Sequence, residues 1–283
     1  MNDDTSNPAA FRQTADFERR FGGIARLYGR RALSGFQRSH VCVIGIGGVG
    51  SWAVEAMARS GIGALTLIDL DHISESNINR QVHALEPDFG MAKVAAMGRR
   101  IADINPQCRV TAVEEFVTPG NVCSLLDVEH VDYVLECTDQ PLAKAAIAGH
   151  VRASRCPMIA IGGTGGQRDP TRIRVGDLSR TVHDPLLAKT RRLLRRHYGF
   201  PRRGLMGVRC VYSLEQARYP QPDGSVGAVR AGFAAGTLHC GGLGSATHVT
   251  ASFGFVAVAR VLDDLAERAV PESYRDTAES VPA

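Results

Sequence analysis

From residue 40 onward the chain alternates short apolar runs with longer stretches whose apolar residues recur every three or four positions. Val41–Ile46, Leu65–Leu70, Arg109–Phe116, Val131–Cys137 and Pro157–Gly162 have the length and side chains of strands. Between them, 51–59, 90–104, 119–126 and 141–154 read as helices, the second stopped by Pro106. Strands and helices in this order predict an α/β fold, a doubly wound and mostly parallel sheet with helices on both faces. Ahead of it, Phe17, Phe21, Ile24 and Leu27 predict one amphipathic helix over 17–35. Behind it the alternation changes. Strands at 172–175 and 208–214 flank a basic helix over 185–198, a glycine-rich stretch covers 236–244, and a long helix closes the pattern at about 246–268. The organisation expected is a disordered tail over 1–15, a core over 16–166, and a C-terminal elaboration over 167–283 that adds mixed strands and the long helix to that core.

Composition narrows the class. Of 283 residues, 44% are hydrophobic and 22% charged, an ordinary globular mix. No apolar run reaches the roughly 18 residues of a membrane span. The first 40 residues carry Asp3, Asp4, Asp16 and Glu18 in place of an apolar leader segment. The seven cysteines are scattered and none forms a C-x-x-C pair, which argues against a disulfide scaffold or a structural zinc and suits a reducing cytoplasm. Net charge is only +4, but residues 181–210 hold eight lysines and arginines against Asp184 alone, so the basic character is local and points to an anionic partner.

Gly45-Ile46-Gly47-Gly48-Val49-Gly50 follows the first strand and opens the next helix. Glycines there let backbone N–H groups approach phosphate oxygens at a helix N-terminus, where negative charge is favoured. Asp69 closes the second strand, where a carboxylate can accept from both ribose hydroxyls. Strand, loop, helix, strand and acid together predict a Rossmann-like nucleotide site built on Gly45, Gly47, Gly48, Gly50 and Asp69. The next segment chooses the nucleotide. Asp71, then Ser76 and Asn77, then Arg80 and later Lys93 supply amides and two cations just beyond the ribose acid. These suit the triphosphate of ATP, since attack on the α-phosphorus builds charge that fixed cations stabilise. Cys137-Thr138-Asp139 closes a strand at the same carboxyl edge. Asp139 is a carboxylate able to hold Mg²⁺ against the phosphates, or to cap the helix opened by Pro141. The catalytic candidates are therefore Arg80, Lys93 and Asp139.

The set Gly-x-Gly-Gly-x-Gly, Asp-x-Asp, Ser-Asn-x-x-Arg-Gln, Gly-x-x-Lys and Cys-Thr-Asp resembles the ubiquitin-activating-enzyme-like superfamily, which includes the molybdopterin-synthase and thiamine-pathway adenylyltransferases. That resemblance implies adenylation of a carboxylate by Mg·ATP in a homodimer, with ATP contacts at Gly48, Asp69, Asn77, Arg80, Lys93 and Asp139. The zinc C-x-x-C pairs of the sulfur-carrier-activating members are missing. In the segment from which many members donate an arginine across the dimer, this chain offers Arg20 and Arg26. Arg20-Phe21-Gly22-Gly23, the Gly162–Gln167 loop with Asp169-Pro170-Thr171, Asp177–Thr181, Asp184-Pro185-Leu186, Tyr219-Pro220-Gln221 and Gly244–Ala257 look like the tRNA threonylcarbamoyladenosine dehydratases. That family implies a tRNA substrate whose threonine carboxylate is activated by ATP and then closed into a ring. A sulfur-relay protein is a further partner the resemblance allows.

Lys189, Arg191, Arg192, Arg195 and Arg196 lie on the basic helix, with Arg202 and Arg203 just beyond, and form the expected RNA-phosphate contact. Cys240, beside His239 and not far from His248, is the most loop-like cysteine, and a small residue at a tight bend explains it better than a nucleophile. The rival reading is an adenylyltransferase acting on the C-terminal glycine of a small sulfur carrier or ubiquitin-like protein. A nicotinamide-dependent oxidoreductase and a non-enzymatic nucleotide- or RNA-binding module stand behind it.

Overall fold

The computed structural model describes residues 16–154, 156–229 and 243–269. The expected tail over 1–15, Cys240 with His239, and the chain beyond 269 lie outside them. Seven strands form one sheet in the order β3-β2-β1-β4-β5-β7-β6. They are β1 (His40–Ile44), β2 (Ala64–Ile68), β3 (Arg109–Val113), β4 (Tyr133–Glu136), β5 (Met158–Ile161), β6 (Ile173–Asp177) and β7 (Arg209–Ser213). All neighbours are parallel except the β6–β7 pair. Two-residue strands β8 (Tyr219–Pro220) and β9 (Val226–Gly227), invisible to periodicity, form a separate hairpin.

The described residues form eight α-helices in chain order: α1 (Phe17–Tyr28), α2 (Arg30–Arg38), α3 (Gly50–Arg59), α4 (Lys93–Ile104), α5 (Val122–Leu125), α6 (Pro141–Ser154), α7 (Pro185–His197) and α8 (Thr247–Ala269). The single N-terminal helix expected over 17–35 is two helices. Gly29 adopts φ 91°, a left-handed conformation only glycine takes readily, and turns the chain between α1 and α2. The helix expected from Gly90 begins at Lys93 instead. Residues 90–92 run beside 71–73, with an isolated His72–Ala92 bridge, before the helix starts.

Side-chain alternation places a core on each face. Val41, Val43, Leu65, Leu67 and Leu135 point to one side, against α2, α3 and α8. Cys42, Ile44 and Val134 point to the other, against α6 and α7. The apolar half of α8 belongs to the first core: Val249, Phe253, Ala257, Val261 and Leu265 are buried against α2 and α3. Most of its apolar surface is thus covered within the chain, with Phe255 left exposed. Strands β6 and β7 extend the same sheet, and the carboxyl ends of β1, β2, β4, β5 and β7 share one edge.

Candidate active site

The glycine loop leaves β1 in the middle of that edge. Gly45 has φ 88°, and a Cβ there would sit 2.9 Å from the Cys137 carbonyl carbon and the Thr138 nitrogen, so this loop packs directly on the turn that follows β4. At Gly50 a Cβ would sit 1.9 Å from the Gly45 carbonyl oxygen, which closes the loop onto the first turn of α3. Asp69 is buried at the end of β2. Its Oδ2 accepts from the Ile46 N–H at 2.6 Å and its Oδ1 from the Asp71 N–H at 2.8 Å. Burial pushes its carboxyl above the usual range, against the pull of Lys93 and the two amides. The acid is thus fixed to the loop it was expected to complement.

The bridge between residues 72 and 92 brings Lys93, 24 residues beyond Asp69, back to it. The buried Lys93 Nζ donates to Asp71 Oδ2 at 2.7 Å, and the Lys93 N–H donates to the Asp71 carbonyl. Asp71, Asp69 and Lys93 form one charged group beside the loop. Asn77 is buried in a 3-10 turn, where its Oδ1 accepts from the Ser74 N–H at 3.1 Å, and Ser76 Oγ pairs with Ser74 Oγ at 2.9 Å. The Arg80 stem crosses Gly48, whose Cβ position is 3.3 Å from Arg80 Cγ and Thr250 Cγ2. Arg80 Nη1 donates to the Ser76 carbonyl at 2.7 Å and to Asn79 Oδ1 at 3.0 Å, while Trp52 Nε1 donates to the Arg80 carbonyl. Thr247 Oγ1 donates to the Asn79 carbonyl, and Asn79 Nδ2 to that of Ser245, so the start of α8 holds this segment over the loop.

Asp139 is exposed just past Thr138, whose backbone nitrogen lies against Gly45. What fixes this turn escaped the sequence reading. Glu136 and Lys144, both fully buried, form an ion pair between β4 and α6. Glu136 Oε1 also accepts from the Thr138 N–H at 2.8 Å and from Thr138 Oγ1 at 2.5 Å. A lone Glu in an apolar strand and a lone Lys eight residues later in an apolar helix were the available signals. Among the described residues no cluster of three metal-ligating side chains exists. One exposed carboxylate beside a phosphate cradle still fits Mg²⁺, which keeps water and takes its other ligands from phosphate. Cysteine chemistry finds no support at the buried thiols of the sheet. Burial pushes Cys42 up to about 12, and raises Cys137 and Cys210 as well.

The structure separates the basic helix from this site. Asp184 caps α7 at the carboxyl edge, accepting from the Gly163 and Leu187 N–H groups at 2.9 Å. From there α7 runs 13 residues, about 20 Å, toward the opposite edge. Arg191 is turned inward to the Leu178 and Thr181 carbonyls, and Arg195 Nε donates to the Pro201 carbonyl. Lys189, Arg192, Arg196, Arg202 and Arg203 are exposed. Arg20 also has a place in its own fold, donating to the Asp103 and Ile104 carbonyls at the end of α4. His248 contacts the Arg168 carbonyl through Nε2.

Comparison with known proteins agrees with this geometry. The ThiF family profile matches residues 22–277. The tRNA threonylcarbamoyladenosine dehydratase of Escherichia coli (strain K12) is 49% identical over 258 residues, covering 89% of this chain and 96% of that protein. Its namesake from Haemophilus influenzae is 44% identical over 257 residues, covering 89% and 95%. The crystal structure of the E. coli enzyme, TcdA, in complex with ATP superposes with a TM-score of 0.80 at 46% identity, over 89% of this chain and 96% of that one. The chain belongs to the ThiF family.

Proposed function

We propose that this chain uses ATP to activate the threonine carboxylate of N6-threonylcarbamoyladenosine in tRNA and closes it to the cyclic form. The observation that carries the reading is the loop–acid–cation group at one sheet edge: the glycine loop held by Asp69, with Lys93 and Arg80 beside it. The nearly full-length likeness to enzymes of that name supplies the substrate. A carboxylate oxygen attacks the α-phosphorus, pyrophosphate leaves, and an acyl-adenylate forms. A neighbouring nitrogen of the same modified group then attacks the acyl carbon. AMP departs with one former carboxylate oxygen, and the nitrogen gives up its proton. The ring closure is intramolecular, where proximity contributes about 7–11 kcal/mol in favourable cases.

Each residue has a task. The Ile46 N–H is held by Asp69, so the amides of residues 47–50 serve the phosphates, and Asp69 takes the ribose hydroxyls. Arg80 and Lys93 offset charge that grows on the phosphoryl oxygens. For Lys93 this means sharing its ammonium between Asp71 and phosphate. Asp139 would hold Mg²⁺, whose charge neutralises the phosphates when bound. Exposed cations on α7 reach the RNA a helix length from the chemistry, as positioning contacts. We further infer a cytoplasmic location, tested by cell fractionation, and a homodimer, tested by sedimentation of the purified chain.

The sulfur-carrier-activating alternative shares the ATP site, but the sequence lacks the C-x-x-C pairs it calls for. Incubation with ATP, Mg²⁺ and threonylcarbamoylated tRNA, followed by nucleoside mass analysis, separates the readings. The proposal expects a nucleoside lighter by one water and dependent on ATP. An unchanged nucleoside, with AMP formed only when a carrier protein with a C-terminal glycine is added, would establish the alternative.

A further inference from the structure

The carboxyl edge continues past the ATP side. At the end of β7 lies a cleft of about 350 Å³ lined by Arg172, His183, Leu214, Glu215, Ala217 and Arg218 among others. Its floor is fixed. The Arg218 N–H donates to the Gly166 carbonyl at 2.9 Å, tying the cleft to the loop that follows β5. Arg172 Nη2 donates to the Leu214 carbonyl at 3.1 Å. Nearby carboxylates are already engaged by the fold. Glu215 Oε2 accepts from the Arg168 and Asp169 N–H groups, and Asp169 Oδ1 from Thr171. The Arg218 guanidinium is exposed and makes no hydrogen bond or ion pair among the described residues.

His183 adds an independent sign. It is the one described residue other than glycine with a positive φ, 57°. The cause is local: Thr181 is tied to Arg191 and to the Leu178 carbonyl, and Asp184 is tied to Gly163 and Leu187. The short link between these anchors is forced left-handed, and its imidazole lines the cleft. Two guanidiniums and an imidazole on a rigid floor suit an anion.

We propose that this cleft seats a backbone phosphate of the tRNA next to the reacting nucleoside, through Arg172, Arg218 and His183. This rests on the function proposed above and places its substrate. The cations of α7 run toward the opposite edge and cannot grip the nucleotide that reacts. By sheet order β7 stands three strands from β1 and two from β4, roughly 14 Å and 10 Å at ordinary strand spacing. A carboxylate at the α-phosphate over β1 and β4 therefore leaves its own sugar and flanking phosphates over β5 and β7, where this cleft opens.

The test compares the wild-type chain with Arg218→Gln and Arg172→Gln/Arg218→Gln, using tRNA turnover, ATP binding and salt titration. The double variant should raise the KM for tRNA about ten-fold or more, keep kcat within about two-fold at saturating tRNA, and bind ATP as before. Its salt slope for tRNA binding should fall by about one for each arginine lost. Arg218→Gln removes no contact within the fold, so it carries the test if loss of the Arg172–Leu214 contact lowers stability. Arg218→Lys should regain much of the affinity. A wild-type KM and salt slope in the double variant, or a parallel loss of ATP affinity, would overturn the cleft assignment and leave the function standing. Failure of the wild-type chain to convert the tRNA would overturn the function and the cleft together.

Discussion

Lys144→Met removes the ammonium that neutralises Glu136 and leaves a fully buried carboxylate beside an apolar side chain. Both partners are completely shielded from solvent. Breaking such a pair costs about 3–5 kcal/mol, because the remaining charge loses its partner without regaining water. For a chain of this size that corresponds to about 5–8 °C in melting temperature. The same change should disturb ATP use. Glu136 anchors Thr138 through two hydrogen bonds, and this turn packs on Gly45 of the glycine loop and leads into Asp139. An unneutralised acid beneath a polyphosphate site repels what binds there. Glu136→Gln/Lys144→Met removes both charges while Gln keeps an acceptor for Thr138. Melting curves and urea unfolding of the four proteins give the coupling energy directly. We expect the double variant to be more stable than Lys144→Met and to bind ATP better. If Lys144→Met lies within about 1 kcal/mol of wild type, the pair does not brace the turn and this reasoning fails.

Arg80→Ala and Lys93→Ala should each reduce turnover by about 10²–10³, and Lys93→Ala should also lower the melting temperature, because it takes the cation away from buried Asp69; activity within a few-fold of wild type would remove them from the chemistry. Arg192→Gln/Arg196→Gln should weaken tRNA binding and flatten its salt dependence while kcat holds, measured by filter binding at several salt concentrations; unchanged affinity would mean α7 does not touch RNA. His83 is buried with neither ring nitrogen hydrogen-bonded, and burial, with Lys93 and Arg100 nearby, lowers its pKa to about 4. The unfolded histidine titrates near 6.5, so stability is fully present above that pH and falls as pH drops from about 6.5 to 4, by about 3 kcal/mol. His83→Asn should flatten this limb in urea melts; an equally steep limb would assign it to other groups.

What could be read from the sequence was local. The glycine loop and Asp69 are specified by neighbours along the chain, because a strand end, a tight turn and a helix start leave few alternatives. The parallel order followed from alternation of strands and helices. Three features depended on contacts between distant segments. Lys93 was recognised by its motif, yet its tether to Asp71 arises from the chain doubling back at residues 90–92. The Glu136–Lys144 pair joins a strand to a helix and shows in the sequence only as two charges out of place. The direction of α7 was hidden as well. Its cations were visible, but that Arg191 and Arg195 serve the fold, and that the helix leaves the ATP edge, follows from where Asp184 is fixed. Gly29 shows the reverse case: helical spacing continued through it, and one left-handed residue broke the helix.

The claim on which the account turns is that the substrate carboxylate attacks the α-phosphorus of ATP. Labelling that carboxylate with oxygen-18 in threonylcarbamoylated tRNA and following one turnover decides it. The account predicts label in the phosphate of AMP, one atom for each ring closed, and none in pyrophosphate. Label in inorganic phosphate with release of ADP would mean attack at the γ-phosphorus and would contradict the adenylation chemistry assigned to this site.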